Sequence, residues 1–326
     1  MDWTFTAEQG AFRKTVRDFL AKECPPEHVR AITTDPTGRS PKLWKGLSDL
    51  GVVGLTVPEA FGGLGGDFID LVLLLEEAGR AALPEPLVET TAVAVPLLRE
   101  AGGPLADEWL PKIASGDAVA VVGGLDGATA TDLHVADVVL LATDQGVEAR
   151  SPEDLAGSPV RSVDATRRLF AIDEASPHPA SFDRGAFATS AVLCGIADRV
   201  IELGAAYAKE RQQFGKPIGS FQAVKHLLAD ALLGLEFARP VVYRAAWSLT
   251  AGDAESSLHC SMAKAYASDA AMDATRAALQ VFGAIGYTHE HDLHLWLNKA
   301  TALAHAWGTA TLHRDRVAGR VLGPQR

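Results

Sequence analysis

The residues best suited to chemistry lie in a short stretch that joins two long helical patterns through a tight turn. The stretch contains Arg211, Gln213, Phe214 and, where the second pattern begins, Gln222. Arg211 offers a planar, permanently charged guanidinium that suits a pyrophosphate, and Phe214 offers a flat face that could cover a ring system. The competing interpretation is a helix hairpin that carries a solvated arginine.

A second stretch places an amide immediately before a glycine-rich turn. Gln280 precedes the run Val-Phe-Gly283-Ala284-Ile-Gly286-Tyr287 at the end of another helical pattern. Glycine lets the backbone approach a ligand closely because it has no Cβ. The second stretch therefore shifts the balance from a plain helix hairpin towards a ligand-binding site.

Histidines follow this turn at positions 289, 291 and 294, with Glu290 and Asp292 between them. A histidine pair spaced i, i+3 on a helix can hold zinc. A zinc site also needs a third convergent ligand and a second shell of supporting groups, and the sequence indicates neither. Polar residues at a helix start are the better interpretation, so we expect no metal.

The composition limits which classes of protein can carry these residues. With 326 residues, 48% of them hydrophobic and 22% charged, the chain is long enough for more than one compact unit and too evenly mixed to be disordered. Its net charge of −11, without a basic patch, disfavours binding to nucleic acid or anionic lipid. The three cysteines, at positions 24, 194 and 260, form no pair, which favours a reducing interior and predicts the cytoplasm. No apolar stretch approaches the roughly 20 residues of a membrane span, so membrane insertion is not expected.

The first part of the chain has a helical pattern. Thr6 and Gln9 form a capping box before an amphipathic run, and Ser40-Pro41 starts a second helix that ends at Gly51. A glycine-rich loop at 57–66 then leads into a strongly apolar helix over 67–82 that contains the acidic pair Glu76-Glu77. Two more helices are predicted over 87–101 and 104–114.

The spacing of the apolar residues is no longer helical after Gly116 and becomes helical again near Phe182. Short β-branched or alternating runs at 118–122, 138–142, 147–149 and 169–172 predict a small β region. Long helical patterns follow, with breaks that predict four long helices. The expected fold is therefore mainly α with a small β region: an N-terminal helical domain over 1–116, a reduced β domain over 117–178 and a C-terminal four-helix bundle over 179–326.

Together the two stretches resemble the acyl-CoA dehydrogenase family. That family has the pattern R-x-Q-F-G-K-x-I-x-x-F-Q and, some sixty to seventy residues later, Q-x-x-G-G-x-G-[FY]; both occur here in this order. Pro58-Glu59 with its glycines, and then Glu76-Glu77, look like the family's loop and buried helix. The resemblance therefore covers both halves of the chain and implies the family's fold.

The resemblance also implies a cofactor and the residues that contact it. In the family, these motifs reach across a subunit interface to the adenine-dinucleotide half of FAD bound mainly by the neighbour. The matching positions in this sequence are Arg211, Gln213, Phe214, Gln222, Gln280 and Gly283. Ala284 replaces the second glycine of the family's pair, and its Cβ needs room.

Two departures from the family concern its catalytic machinery. The flavin-ring signature T-E-P-x-A-G-S-D is not recognisable at 120–129, and 141–150 contains no tryptophan. Trp307 stands where many members have the glutamate that removes the α-proton, and an indole cannot accept a proton. The family's other location for this base, around 241–247, has no carboxylate either. The resemblance thus implies a member without its own base.

This combination is similar to the degenerate subunit of actinobacterial heteromeric α2β2 steroid side-chain acyl-CoA dehydrogenases. It implies FAD shared at a subunit interface, a longer homologous partner subunit, an acyl-CoA substrate and electron-transfer flavoprotein as acceptor. Two alternatives stay open. The chain could be a self-sufficient homomeric dehydrogenase with an unusual base such as Glu236 or Glu290, or a scaffold without flavin.

Overall fold

The N-terminal part of the chain is helical, as its capping and apolar patterns predict. A computed structural model describes residues 4–124, 129–143, 146–155, 157–172 and 178–323. The Thr6 hydroxyl accepts from the Gln9 amide and the Gln9 side chain accepts from the Thr6 amide, which confirms the capping box. The helices are α1 Ala7–Glu23, α2 Pro26–Thr34, α3 Pro41–Asp49, α4 Phe68–Arg80, a π-helical segment Val88–Ala94, α5 Val95–Ala101 and α6 Gly103–Ala114.

Helix α4 runs through the interior and carries two buried carboxylates. Glu76 and Glu77 are 0% and 2% exposed, which confirms the predicted buried helix with its acidic pair. Arg13 of α1 donates to Glu76 over 2.8 Å and to Glu77 over 2.6 Å, and Arg17 also donates to Glu77. Buried carboxylates need such partners, so these ion pairs fix α1 against α4.

The β region consists of two small three-stranded sheets. In the first, β1 Ala120–Val122 pairs in parallel with β3 Val138–Thr143, which pairs antiparallel with β4 Gly146–Arg150. In the second, β6 Leu169–Ala171 lies between β2 Thr129–Thr131 and β5 Ser158–Val160, antiparallel to both. The four predicted runs each form a strand. The two unpredicted strands have three residues each, too few for an alternating pattern to be visible.

The C-terminal part begins with α7 Pro179–Glu210, a two-stranded hairpin of β7 Gln212–Gln213 and β8 Lys216–Pro217, and α8 Gln222–Thr250. Helices α9 Ser256–Phe282, α10 Leu293–His305 and α11 Ala310–Leu322 follow. The described part of this tail therefore has three long helices and two of 13 residues in place of the four long helices expected. The extra break falls at Trp307 and Gly308, whose φ angles of +55° and +91° end the helical path.

Close approach of α4 and α7 depends on two glycines. A Cβ on Gly79 would lie 2.0 Å from the carbonyl oxygen of Val192, and a Cβ on Gly195 would lie 1.8 Å from that of Glu76. Both contacts are with backbone, so neither neighbour can yield without moving a helix. This crossing holds the N-terminal helices against the C-terminal ones.

Two further features of the described residues bear on the sequence predictions. Cys24, Cys194 and Cys260 are free and buried. Over the ranges that the structure describes, no helix combines the length and the hydrophobicity needed to cross a membrane.

Candidate functional site

The hairpin between α7 and α8 presents an aromatic ring to solvent. At its turn, Phe214 has φ +53° and Gly215 has φ +77°, the combination that a two-residue hairpin of the primed type requires. Glycine meets this requirement freely, whereas a bulky residue with positive φ is strained by about 1 kcal/mol or more. Phe214 is nevertheless 91% exposed. A strained and fully exposed phenylalanine makes this turn a candidate for binding.

Local contacts hold the hairpin in shape. The Ile218 amide donates to the Arg211 carbonyl oxygen over 2.8 Å and closes the hairpin base. The Phe214 ring lies edge-on to Phe221, with 6.1 Å between the ring centroids, and the Lys216 ammonium lies 4.5 Å from the Phe221 centroid. The exposed Phe214 ring therefore packs against Phe221, which in turn contacts the Lys216 ammonium.

Arg211 is exposed and follows directly after the last residue of α7. Within the described ranges, no hydrogen bond or ion pair engages its guanidinium. Arg80 differs, since its guanidinium bonds Asp198 and Glu202 on α7. The charge of Arg211 is thus available to a ligand or to another chain.

The second motif forms the turn after α9. Gly283 has φ +61° and ψ −138°, a backbone conformation that essentially only glycine adopts. A Cβ placed on it would meet nothing within 4 Å, so backbone geometry rather than crowding requires glycine there. Gln280 and Ala284 are exposed, and Tyr287 is 75% exposed. This turn offers an amide and open backbone on the surface.

An aromatic cluster connects the two motifs. The ring of Tyr207, near the end of α7, lies 4.5 Å from that of Phe282 at the end of α9. Phe282 in turn contacts the His291 ring at 4.2 Å. Of the six predicted contact residues, Gly283 is half-buried and the others are exposed: Arg211, Gln213, Phe214, Gln222 and Gln280. The structure thus anchors both turns to one cluster and leaves their polar groups at the surface.

At the position where the resemblance to the family places a glutamate base, the Trp307 indole is buried. It is 2% exposed, and a Cβ on the facing Gly185 would lie 2.2 Å from its ring. Lys264 donates to the carbonyl oxygens of Ala304 over 3.0 Å and Gly308 over 3.1 Å, and His313 donates from Nε2 to that of Trp307 over 2.7 Å. These bonds stabilise the strained loop that places the indole in the interior.

Burial shifts the pKa values of both basic groups beneath this loop. It lowers the pKa of the Lys264 ammonium to about 7, with a smaller contribution from Arg167. It also lowers the pKa of His313 to about 4. A partly neutral lysine and a neutral histidine can still donate to carbonyl oxygens, so the loop keeps its hydrogen bonds near neutral pH.

At the family's second base location, a carboxylate does approach α8, but α4 supplies it. The Tyr243 hydroxyl donates to Glu76 over 2.7 Å. Burial raises the pKa of Glu76, while Arg13 and Arg239 oppose the rise. Burial and the Glu76 charge raise the pKa of Tyr243. Sequence reasoning missed this pair because 167 residues separate its members; the only signal was an acidic pair in an apolar helix.

A second buried polar cluster joins α10 to the β region. Lys299 donates to Asp164 over 2.8 Å and to Thr166 over 2.9 Å. Nearby, a cavity of about 50 Å³ is lined by Glu89 and Asp132 among others. Burial and the Glu89 charge raise the pKa of Asp132 to about 7. Sequence reasoning did not find this cluster, because no local pattern connects its members.

The described residues contain no group of three or more histidines, cysteines and carboxylates that could hold a metal ion. The rings of His289 and His294 contact each other edge-on, with their centroids 4.7 Å apart. The flavin-ring signature predicted to be missing falls partly at 125–128, outside the described residues.

A small β region lies between two sets of helices, and the C-terminal helices carry an arginine–phenylalanine turn and a glycine turn. This arrangement is that of the acyl-CoA dehydrogenase class. The N-terminal domain profile of acyl-CoA dehydrogenases matches residues 6–117, and the C-terminal domain profile matches residues 179–322. The chain belongs to the acyl-CoA dehydrogenase family.

Individual proteins of the family are similar to this chain over most of its length. The chain is 36% identical to acyl-CoA dehydrogenase IpdE2 of Mycobacterium tuberculosis, over 90% of this chain and 91% of the relative. It is 33% identical to IpdE2 of Mycolicibacterium smegmatis, over 92% and 94%. Among solved structures, the ChsE4–ChsE5 complex of M. tuberculosis matches with a TM-score of 0.89 and 25% identity, over 100% of both chains. These similarities confirm that the chain resembles actinobacterial steroid acyl-CoA dehydrogenase subunits.

Proposed function

We propose that this chain is one subunit of a heteromeric, FAD-dependent acyl-CoA dehydrogenase, and that it contributes cofactor contacts to a site made mainly by a longer homologous subunit. The observation that carries the proposal is the position of the motif residues. Phe214 is 91% exposed, and Arg211 has no partner within the described ranges. Groups that bound a cofactor within their own chain would instead line a closed pocket.

The residues present suit the adenine-dinucleotide half of FAD. Arg211 would pair with the pyrophosphate, Phe214 would cover a ring, and the open backbone at Gly283 would allow close approach. The amides of Gln213, Gln222 and Gln280 can each donate and accept hydrogen bonds. FAD, when bound, would accept the hydride from the β-carbon of the substrate.

Removal of the α-proton needs a base that this chain does not place at the expected position. Trp307 donates a hydrogen bond but cannot accept a proton. Glu76 lies near α8, yet it is fully buried between Tyr243 and two arginines. We infer that the partner subunit supplies the carboxylate.

The substrate proposed is a CoA ester, and a steroid side-chain ester is the first choice. The relatives and solved structures support this class: IpdE2 is named an acyl-CoA dehydrogenase, and a structure with a TM-score of 0.88 is titled a steroid acyl-CoA dehydrogenase variant. Electron-transfer flavoprotein is the proposed electron acceptor.

The self-sufficient alternative has no support from the position of its candidate bases. Glu236 is exposed on α8 and accepts from Arg239 over 2.7 Å. Glu290 is exposed in the turn before α10. A general base works within a pocket that excludes water, and neither carboxylate lines one of the described pockets.

Co-expression tests the proposal directly. The chain is purified alone and with each longer acyl-CoA dehydrogenase encoded beside it, and the flavin absorbance near 450 nm of each product is recorded. We expect a heteromer that carries flavin and an isolated chain that carries little. A flavin-loaded homomer would support the self-sufficient alternative, and a flavin-free heteromer would support the scaffold.

A further inference from the structure

A small cavity of about 50 Å³ lies between the β region and the helices around it, and two buried carboxyl groups line it. Asp132 comes directly after β2 and is 6% exposed, whereas Glu89 belongs to the π-helical segment and is 7% exposed. Within the described residues, no hydrogen bond reaches either carboxyl oxygen of Asp132. An ionised carboxylate in such a place is costly, so the neutral, protonated form of Asp132 is favoured.

Six charged side chains belong to the same buried cluster as Asp132, and they form three pairs of opposite charge. The pairs are Arg39 with Glu85 at 2.9 Å, Arg167 with Glu89 at 4.0 Å and Lys299 with Asp164 at 2.8 Å, measured from nitrogen to oxygen. The cluster therefore contains four carboxyl groups and three cations. It is neutral only when one carboxyl group keeps a proton, and Asp132 is the one without a cation of its own.

The electrostatic surroundings of Asp132 agree with this count. Burial and the Glu89 charge raise the pKa of Asp132 to about 7, although the three cations of the cluster oppose the rise. A carboxyl group with this pKa changes its charge close to neutral pH, whereas an ordinary aspartate is ionised there.

Three other titratable groups lie beside the cluster. His28 of α2 lies near Glu85, and its Nε2 atom has no hydrogen-bond partner within the described residues. His134 and Arg168 of the β region donate to backbone carbonyl oxygens of the loop between α2 and α3. None of the three bonds the unpaired carboxyl group, so the count of charges around it stands.

The contacts of this cluster hold the β region against the helices. Lys299 of α10 also donates to Thr166 over 2.9 Å, and Arg39 donates to a carbonyl oxygen of the β region over 3.4 Å. The Asp132 amide donates to the carbonyl oxygen of Arg168 over 2.8 Å and so joins the two loops that carry these groups. A charge on the Asp132 side chain therefore acts on both loops.

We propose that Asp132 is a pH-dependent switch: its neutral carboxyl group keeps loops 132–137 and 162–168 attached to the helices, and its ionised form loosens them. Ionisation places a second negative charge beside Glu89. Arg167, which lies 4.0 Å from Glu89 and makes no hydrogen bond to it, would then have to serve two carboxylates. This inference does not depend on the proposed function, because every contact in it lies within this chain.

The direction of the pH dependence follows from the number of bound protons. When the loops detach, water reaches Asp132 and its pKa returns to the ordinary value of about 4, below the value of about 7 in the attached state. Between these two pH values the attached state binds more protons, so attachment weakens as the pH rises, and above about pH 7 it changes little. A single proton weakens the attachment equilibrium by at most about tenfold per pH unit.

Hydrogen exchange of the full-length chain measures the attachment. Mass spectrometry records the protection of loops 132–137 and 162–168 from roughly pH 5 to 8, with each rate divided by the intrinsic rate at that pH. We expect wild-type protection to fall at least about tenfold between roughly pH 5 and 7 and little beyond. Asp132→Asn cannot ionise, and asparagine tolerates the left-handed backbone at φ +54°, so this variant should stay protected throughout.

The matched control is Asp154→Asn, because Asp154 is exposed in the same β region and lies outside the cluster. This variant should keep the pH dependence of the wild type. Equal pH dependence in the wild type and in Asp132→Asn would overturn the proposal, and so would a wild-type profile that is flat between roughly pH 5 and 7.

Infrared spectroscopy tests the proton itself, because a protonated carboxylic acid and a carboxylate have separate C–O stretching bands. The difference between the wild type and Asp132→Asn should contain an acid band at roughly pH 6 and lose it by roughly pH 8.5. Absence of this band at the lower pH would overturn the proposal.

A second variant keeps the test decisive if Asp132→Asn does not fold. Glu89→Gln removes the neighbouring negative charge and leaves Arg167 to pair with Asp132, so ionisation of Asp132 becomes easier. The pH at which protection falls should therefore shift to a lower value. An unshifted profile would show that these carboxyl groups do not act as a pair and would overturn the switch.

Discussion

Exposed and buried cations have different roles in this chain, and Arg211 is the clearest exposed case. Its guanidinium is exposed and unpaired within the described ranges, so its removal leaves no buried partner without a charge. A mutation there should therefore affect binding and not stability.

We predict that Arg211→Ala in the heteromer lowers affinity for FAD at least about tenfold, because a charge-assisted contact to the pyrophosphate is lost. The melting temperature of the isolated chain should stay the same. Arg320→Ala is the control, because Arg320 is exposed on α11 and bonds Glu255. Flavin content after dialysis measures the effect, and equal flavin retention by the two variants would contradict the assignment.

Lys264 is a buried cation, in contrast to the exposed Arg211. Its lowered pKa determines the direction in which the free energy of unfolding changes with pH. Burial lowers its pKa from 10.5 to about 7, so between these values the unfolded chain binds more protons than the folded one. The free energy of unfolding contributed by this group therefore rises with pH across that window, by up to about 1.4 kcal/mol per pH unit.

We predict that the free energy of unfolding of the wild type rises more between pH 7.5 and 9 than that of Lys264→Met. Methionine has a similar shape but does not titrate, so the difference between the two slopes isolates the lysine. Urea titrations at both pH values measure it. The variant should also be less stable at both values, because two loop carbonyls lose their donor. Parallel slopes would show that Lys264 does not carry the effect.

At the scale of elements, the crossing of α4 and α7 is a contact that tolerates little change. Gly195→Ala places a methyl group 1.8 Å from the Glu76 carbonyl oxygen. The helices must separate to accept it, so we expect a loss of about 3 kcal/mol or more. Gly319→Ala on α11, where a Cβ meets nothing within 4 Å, should be neutral or stabilise by up to about 1 kcal/mol. Urea unfolding of both variants checks the contrast, and similar stabilities would disprove this account of the crossing.

The helices also show which parts of the fold can be predicted from local sequence patterns. The Thr6–Gln9 capping box and the apolar run of α4 are local, so the sequence was enough to place both helices. The break at Trp307 was missed because it depends on carbonyl bonds from Lys264, more than forty residues away in the chain. Long-range polar contacts of this kind leave no periodic pattern.

In the candidate site too, features set by local sequence could be predicted, whereas features set by long-range contacts could not. Both surface turns follow from motifs with glycine and arginine at fixed spacing, and the structure places five of the six motif residues on the surface. The contact between Tyr243 and Glu76 depends on how α4 packs against α8, which no local spacing encodes. Surface turns can thus be predicted from motifs, whereas buried polar pairs require the tertiary structure.

At the scale of the whole molecule, the chain has the helical domains of its family but a tryptophan, not a carboxylate, at position 307. Trp307 fills the interior where a carboxylate is expected, and the motif residues face outward. Both features support the proposal that activity needs a second chain.

We predict that the isolated chain, reconstituted with FAD, shows no substrate-dependent bleaching with straight-chain or steroid-type CoA esters, whereas the heteromer bleaches with at least one of them. The physical reason is the absent proton acceptor at position 307, since a general base typically contributes about 10²–10⁴ in rate. Substitution of the partner's catalytic glutamate by glutamine should abolish the heteromer's bleaching, whereas Trp307→Phe in this chain should leave it nearly unchanged, because an aromatic ring still fills the space against Gly185. Turnover by the isolated chain would contradict the subunit assignment, and Glu236 and Glu290 would then be the first carboxylates to substitute.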